Sequence, residues 1–209
     1  MKNVMAVTAS LKYCSIAISY ENNFYEANEN ADAAANLVHL AHELVRSKNI
    51  DLKKIAGVIT ASGPGSFTGI RVAQSFAKGL ALALKIPSAS VNYFDVIKSV
   101  CEEKIGKNNV LVAIGSDKGQ VYYEINGEKI HEMGISAPDA LGRLVPSKVL
   151  AVGDAIDEIV PHLNDRIIDI CRIDDFRDAK YLLNFTKVLT KKSSINPLYI
   201  NAQSSGRCW

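Results

Sequence analysis

The order of apolar segments along the first hundred residues constrains the fold more than any other feature of the chain. Short apolar or alternating segments at residues 4–7, 13–19 and 24–27 predict three consecutive strands joined by tight turns. Helical and apolar segments then alternate, which gives the order β-β-β-α-β-α-β-α. Antiparallel hairpins extended by strands that follow helical crossovers are typical of an α/β domain.

The second half of the chain predicts fewer and shorter elements. The Asn126-Gly127 dipeptide predicts a hairpin between strands at 121–125 and 129–133. The remaining apolar patterns predict strands at 110–114 and 149–152, helices at 138–144, 155–160 and 178–189, and an extended segment at 197–200. We therefore divide the chain into an N-terminal lobe over residues 1–104 and a smaller C-terminal lobe over residues 105–209.

Composition excludes several classes of protein. With 209 residues, 48% of them apolar, the chain has enough material for a core, which argues against disorder. A formal net charge of +2 provides no basic face for direct binding of nucleic acid. The four cysteines form no CxxC pair and are too few for a disulfide scaffold. We find no signal peptide and no membrane-spanning run, so we expect a cytoplasmic protein without membrane contact.

A glycine-rich segment between a predicted strand and a predicted helix is the most informative motif. Backbone N–H groups at such a position can hold an anion, and the candidate residues for this role are Gly63, Gly65, Ser66, Thr68 and Arg71. The spacing matches neither GxGxxG nor a Walker A loop, and the two hydroxyl residues can instead cap the helix. Arg71 places a positive charge in the first turn of the predicted helix, which is unfavourable next to the helix dipole. A carboxylate of a partner protein, a phosphate or a carboxylate of the same subunit would offset this charge.

The helix after this segment carries a stripe of small residues. Gly69, Ala73, Ala77 and Ala81 recur every four positions and therefore line one face. Such a stripe lets another backbone approach closely, and that backbone is either the sheet of the same domain or a helix of a partner. The candidate partner contacts all lie on this helix: Gly69, Ile70, Ala73, Phe76, Ala77 and Leu80.

The segment Gly63–Arg71, followed by the run Ala77–Ala81, resembles the hallmark of the TsaB (YeaZ) family. Other segments resemble the family in the same order: Asp51–Ile55, Val112–Ile114, Gly119–Tyr123 and Pro197–Tyr199. The resemblance implies an α/β fold of the actin/Hsp70/sugar-kinase type with two ribonuclease H-like lobes, of which the second is reduced. It covers most of the chain and is thin after about residue 125.

The resemblance also implies a function. Proteins of this family are non-catalytic partners of TsaD in the bacterial complex that makes N6-threonylcarbamoyladenosine in tRNA. TsaD transfers the threonylcarbamoyl group to an adenosine beside the anticodon, and the ATPase TsaE joins the complex. In the family, the helix after the glycine loop takes part in homodimers and in the contact with TsaD. We therefore expect TsaD as the main partner, TsaE as a further one, a homodimer when alone, and tRNA contact only through the complex.

Two departures from the family bear on catalysis. Thr8 and Gly115 stand where family members carry aspartates at strand ends. Kinases and ATPases of this fold need acids there to hold Mg²⁺, so we predict no catalytic residues. We expect no cofactor in the isolated chain, with ATP or ADP and Mg²⁺ bound only in the assembled complex. The alternative is an autonomous phosphotransferase or ATPase that holds phosphate in its glycine loop.

A peptidase is a third and weaker hypothesis. His39 and His42 lie in an HxxHE sequence, which matches neither the HExxH nor the HxxEH arrangement of zinc peptidases. No third ligand lies nearby in the sequence, so we predict no metal site.

Overall fold

The computed structural model describes residues 3–9, 13–30, 32–102, 109–116, 118–127, 130–145, 148–172, 177–190, 193–198 and 200. These residues form two compact units. The first unit takes the described residues of Met1–Tyr93 and Arg177–Leu198, and the second takes those of Phe94–Phe176 and Tyr199–Trp209. None of the helices in these described ranges is long and apolar enough to cross a membrane.

The first unit contains a five-stranded sheet in the order β3-β2-β1-β4-β5. Its strands are β1 Val4–Ala9, β2 Cys14–Tyr20, β3 Asn23–Glu29, β4 Gly57–Gly63 and β5 Ser88–Asn92. Helix α1 spans Ala33–Ser47, a 3₁₀ turn spans Leu52–Lys54, and helix α2 spans Phe67–Leu84. Strands β1, β2 and β3 pair antiparallel, whereas β4 and β5 add in parallel to β1. The predicted order of elements is confirmed.

The second unit repeats this sheet topology. It begins within helix α3, Tyr93–Val100, whose first residue still belongs to the first unit. The elements that follow are β6 Val110–Gly115, β7 Val121–Gly127, β8 Ile130–Ser136, α4 Pro138–Leu144, β9 Val149–Gly153, α5 Ile156–Leu163, a 3₁₀ turn at Asn164–Arg166 and β10 Ile167–Arg172. The order is β10-β9-β6-β7-β8, with an antiparallel β6-β7-β8 meander and parallel β9 and β10. The sequence patterns missed β10. The α/β fold with two ribonuclease H-like lobes is confirmed.

The chain returns to the first unit after the second sheet. Helix α6 at Ala179–Leu182 and a 3₁₀ segment at Leu183–Val188 replace the single helix predicted over 178–189. The predicted division assigned everything after residue 104 to the C-terminal lobe, and the structure differs because residues 177–198 pack in the first unit. The Ala179 N–H donates to Ser15 Oγ at 2.8 Å across 164 positions of sequence, a contact that no local pattern reveals.

Both faces of the first sheet are covered. On one face, α1 and α2 pack on alternate residues of the strands, including Met5, Val7 and Ile16. Residues of the opposite parity, such as Val4 and Ala6, point to the other face and are fully buried. The segment after residue 176 covers that second face. A Cβ on Gly57 would lie 2.6 Å from Leu189 Cδ1, so the segment approaches β4 closely.

The second sheet is covered by shorter helices. Its core joins residues of β6, β7 and β9 with Leu141 of α4 and Ile159 of α5. The guanidinium of Arg166 donates to the backbone oxygens of Gly142 and Val145, which satisfies carbonyl groups at the end of α4. On the opposite face, Lys98 of α3 pairs with the buried Glu124 of β7 at 3.0 Å.

Candidate functional site

The glycine-rich segment forms the turn from β4 into α2. Gly63 has a φ of +111°, a conformation that strongly favours glycine. Ser66 is the N-cap of α2, and its Oγ accepts a hydrogen bond from the Gly69 N–H at 3.2 Å. Thr68 lies exposed inside the first turn and not at the cap. The capping alternative therefore holds for Ser66.

The inner side of this turn is filled by the chain itself. A Cβ on Gly63 would lie 3.0 Å from Ile70 Cδ1 and 3.3 Å from the carbonyl oxygen of Leu198, and one on Gly65 would lie 3.8 Å from Ile70 Cδ1. The Leu198 N–H donates to the Ser62 carbonyl oxygen at 2.7 Å, which ties the C-terminal segment to the turn. An anion-binding role for these residues stays a prediction.

Arg71 stacks on the first residue of its own helix. Its guanidinium carbon lies 3.6 Å from the centroid of the Phe67 ring, a cation–π arrangement. The Phe67 side chain is 56% exposed, and Arg71 is exposed as well. The pair therefore presents an aromatic ring and a positive charge together at the start of α2.

The stripe of small residues faces the sheet of its own unit. Ala73, Ala77 and Ala81 are at most 4% exposed and belong to the core formed with β1, β2 and β4. Gly69 and Ile70 are buried as well. Of the two open alternatives, intramolecular packing is the one observed for the stripe.

This placement bears directly on the predicted partner contacts. Gly69, Ile70, Ala73 and Ala77 are buried inside their own unit, so they offer no surface to a partner in this structure. The two other candidates, Phe76 and Leu80, are half-buried against the same core. Their role as partner contacts stays a prediction that the observed packing does not support.

The opposite side of α2 is the surface that the sequence reasoning missed. We define the α2 outer face as the exposed residues Phe67, Arg71, Ser75, Lys78 and Leu82. These positions are three or four residues apart and span about 22 Å along the helix. Leu82 is 81% exposed, the largest value among the exposed large apolar residues of the described chain. The available signal was the spacing of Arg71, Ser75 and Lys78, which places Leu82 on a polar face of the helix.

The end of β1 is sealed by the returning segment. Thr8 is 1% exposed, and its hydroxyl donates to the carbonyl oxygen of Arg177. The hydroxyl of Tyr93 is hydrogen-bonded to Thr8, and burial raises the pKa of Tyr93 to about 12. Nearby, the Tyr13 hydroxyl donates to Asp178 Oδ1. The hydroxyl that replaces the family aspartate is thus committed to contacts within the chain.

The residues at these strand ends do not fit a magnesium site. Thr8 offers a buried neutral hydroxyl, whereas Mg²⁺ is normally held by carboxylates and water. At the end of β6, the Gly115 N–H donates to Asp154 Oδ1 at 2.9 Å, so this carboxylate is hydrogen-bonded to the backbone. Within the described ranges, no group of three or more His, Cys, Asp or Glu side chains could hold a metal ion.

The two histidines of the HxxHE sequence lie on the exposed side of α1. His42 Nδ1 lies 3.2 Å from Glu43 Oε1, and the same glutamate accepts from Arg46 at 3.1 Å. His39 is exposed. This is a solvated helix face. Of the C-terminal motif Pro197–Tyr199, Tyr199 lies outside the described residues.

Several known proteins are similar to this chain in sequence. The family model described as TsaD: tRNA N6-adenosine threonylcarbamoyltransferase matches residues 30–164. The tRNA threonylcarbamoyladenosine biosynthesis protein TsaB of Buchnera aphidicola subsp. Baizongia pistaciae is 25% identical over 96% of this chain and 99% of its own length. The protein of the same name from Buchnera aphidicola subsp. Schizaphis graminum is 30% identical over 57% of this chain, which spans only 58% of that relative.

A solved structure supports the fold over nearly the whole chain. The structure described as YeaZ from Pseudomonas aeruginosa has a TM-score of 0.73 and covers 96% of this chain and 100% of its own. Its sequence identity is 21%. The likeness is therefore one of fold.

Proposed function

Because this chain belongs to the TsaD family, tRNA N6-adenosine threonylcarbamoyltransferase, and to its TsaB (YeaZ) group, we propose that it acts in tRNA threonylcarbamoyladenosine biosynthesis as a non-catalytic partner of TsaD. The Baizongia relative, which aligns with 96% of this chain, carries the name of a biosynthesis protein of that modification. This extent of alignment supports a role for the chain as a whole and not for one lobe.

The sealed end of β1 supports the non-catalytic part of the proposal. A phosphoryl-transfer or hydrolytic enzyme of this fold needs acids that hold a metal ion and its waters. Here a buried threonine hydroxyl occupies that strand end and donates to a carbonyl oxygen of the same chain. In this proposal ATP or ADP and Mg²⁺ bind in the assembled complex, where TsaD and the ATPase TsaE contribute their own residues.

The α2 outer face carries the partner part of the proposal. Its two ends are apolar, with Phe67 56% and Leu82 81% exposed, and Arg71 and Lys78 lie between them. Exposed aromatic residues and arginine are enriched at protein interfaces and often dominate binding energy. The helix is also the one that the family resemblance connects with both homodimers and TsaD. We infer that a homodimer and the TsaD complex compete for this face.

A binding measurement with TsaD of the same organism tests the proposal. Leu82→Arg and Phe67→Arg each introduce a charge into the α2 outer face without entering the core. Each should weaken TsaD binding at least tenfold, about 1.4 kcal/mol. Phe24→Arg is the matched control, because Phe24 is 50% exposed on β3 and lies outside the α2 outer face. Full TsaD binding by both α2 variants would contradict the proposed interface.

A second measurement separates this proposal from the autonomous ATPase. Calorimetric titration of the isolated chain with ATP and Mg²⁺ should give no Mg²⁺-dependent binding, and the chain should not release phosphate. Tight Mg²⁺-dependent binding with turnover would overturn the non-catalytic role. It would leave the membership of the TsaD family untouched.

The net charge of +2 supports indirect contact with tRNA. In this proposal other subunits provide the basic surface, because Lys and Arg only slightly outnumber Asp and Glu in this chain. A gel-shift assay of the isolated chain with tRNA should show no complex at physiological salt. Formation of a specific complex would show direct contact.

A further inference from the structure

Two cysteines of the second unit lie side by side. Cys101 follows the last turn of α3, where its N–H donates to the Ile97 carbonyl oxygen at 3.2 Å. Cys171 lies on β10, opposite Val152 of β9. The Sγ atoms of the two cysteines are 2.6 Å apart, and the thiols are not joined. That separation exceeds a covalent S–S bond by only about 0.6 Å.

The two thiols differ in exposure in a way that suits oxidation. Cys101 is 3% exposed, whereas Cys171 is half-buried and can meet a small oxidant. By contrast, Cys14 lies in the core of the first unit, and burial raises the pKa of its thiol. A raised pKa keeps a thiol protonated and unreactive. Cys208 lies outside the described residues.

We propose that Cys101 and Cys171 are a redox-sensitive pair that hydrogen peroxide converts to an intramolecular disulfide. The Cys171 thiolate attacks peroxide and breaks its O–O bond, which yields a sulfenic acid and hydroxide. Cys101 Sγ then attacks the Cys171 sulfur, and the S–O bond breaks. The protons of the two thiols leave with the two oxygens, so two thiols and one peroxide give one disulfide and two waters. A dithiol such as dithiothreitol reverses the step.

The bond would link elements that lie 70 positions apart in sequence. It would attach the end of α3 to β10, which stands beside β9 at the edge of the second sheet. Closing a long loop of chain restricts the unfolded state, so a disulfide here should stabilise the second unit. The inference is independent of the proposed function.

Peptide mapping of the full chain tests the pair directly. The protein is treated with a small excess of hydrogen peroxide, alkylated while denatured, and digested with trypsin without reduction. Cleavage after Lys98 and Lys104, and around residues 167–172, places each cysteine on its own short peptide. The expected product is a covalent pair of peptides 99–104 and 167–172, with free thiols reduced from four to two. Dithiothreitol should restore all four.

Single substitutions provide the controls. Cys171→Ser should abolish both the thiol loss at Cys101 and the rise in melting temperature on oxidation. Cys14→Ser should leave the linked peptide unchanged. The proposal is overturned if Cys101 links to Cys14, to Cys208 or to a second molecule, or if peroxide leaves all four thiols intact. Cys101→Ser should likewise prevent the linked peptide, but this residue is buried and the variant could fail to fold. In that case the Cys171→Ser variant decides the question alone, because Cys171 is only half-buried.

Discussion

The two units share one sheet topology but differ in the length of the helices that cover the sheet. In the first unit the crossover helices α1 and α2 have 15 and 18 residues, whereas α4 and α5 of the second unit have 7 and 8. Both sheets nevertheless have five strands in the same order. The predicted reduction of the second lobe is therefore a reduction of helices and not of strands.

The difference extends to the turns that precede α2 in the first unit and α5 in the second. In the first unit, residues 64–66 separate β4 from α2, and Ser66 caps the helix. In the second unit, only residues 154 and 155 separate β9 from α5. Helix α2 is also long enough to keep one side on the sheet and present another to solvent. One sheet topology therefore carries long helices, one with an exposed side, in the first unit and short helices in the second.

The largest effect is expected from a charge placed in the α2 stripe. Ala77 is fully buried against the first sheet, so Ala77→Arg should destabilise the fold by more than about 3 kcal/mol through overpacking and a buried charge. Urea unfolding followed by circular dichroism measures this. Ser75→Arg, on the exposed side of the same helix, should change stability by less than about 0.5 kcal/mol. Equal unfolding midpoints would mean that this face of α2 does not pack on its own sheet.

A smaller loss is expected in the second unit, where α4 and α5 touch through a glycine. A Cβ on Gly142 would lie 2.1 Å from the carbonyl oxygen of His162. Because that neighbour is backbone, Gly142→Ala should cost about 2 kcal/mol. Thermal and urea unfolding measure the cost, with Arg143→Ala on the exposed side of α4 as the comparison variant. A gain in stability would refute the close approach of the two short helices.

The pH dependence of stability compares one buried tyrosine in each unit. Burial raises the pKa of Tyr93 and of Tyr123 to about 12, and in Tyr123 the neighbouring Glu132 adds to the effect. The unfolded chain releases these protons near pH 10, so stability falls as pH rises from about 10 to about 12. At pH 11 Tyr93 should account for a loss of about 1.4 kcal/mol, and Tyr123 for a smaller loss, because its hydroxyl is less completely removed from solvent than that of Tyr93.

The tyrosine prediction is checked by urea unfolding at pH 9 and pH 11. Tyr93→Phe removes the Thr8 contact and lowers stability at pH 9, but its decrease in stability between pH 9 and pH 11 should be smaller than that of the wild type. Tyr123→Phe should behave in the same way. A variant that keeps the full wild-type decrease would show that its tyrosine does not contribute.

The smallest expected effect is a gain in stability. Nothing lies within 4 Å of a Cβ built on Gly79, which is exposed within α2. Gly79→Ala should therefore stabilise the protein by about 1 kcal/mol through helix propensity alone. The same substitution thus has opposite signs at Gly79 and at Gly142. A melting temperature that fell in both variants would remove this distinction between the long and the short helices.

Much of the first unit was predictable from local pattern. Alternation placed β2, and helical spacing placed α1 and α2. The hairpin of the second unit was predicted correctly, but its turn was not, because Asn126 and Gly127 lie in β7 and pair with His131 and Ile130 of β8. Strand β10 was missed because Ile167–Arg172 is short and carries charged residues at an exposed edge. The predicted helix over 178–189 breaks after Leu182, where the chain tightens into 3₁₀ turns. Its apolar periodicity reflected contact with a sheet and not a regular helix.

The sequence identified the glycine-rich turn and α2 as the candidate site, but not which of their residues are exposed or what they contact. Ser66 as a cap follows from its chemistry and its place before the helix. Leu82 and Phe67 were passed over because sequence alone does not show which apolar residues remain exposed. Tyr93 and Arg177 reach Thr8 from distant parts of the chain, so their contacts had no local signature.

Sequence patterns were sufficient for the order of elements up to α3, for the family and for the stripe of small residues on α2. These properties depend on spacing and residue type, which are local. Which surface packs against that stripe depends on the fold. Small side chains permit close approach by any backbone, and in the fold the first sheet occupies that place. The burial of Thr8 also depends on the fold, because its hydroxyl donates to Arg177, which lies 169 positions further along the chain.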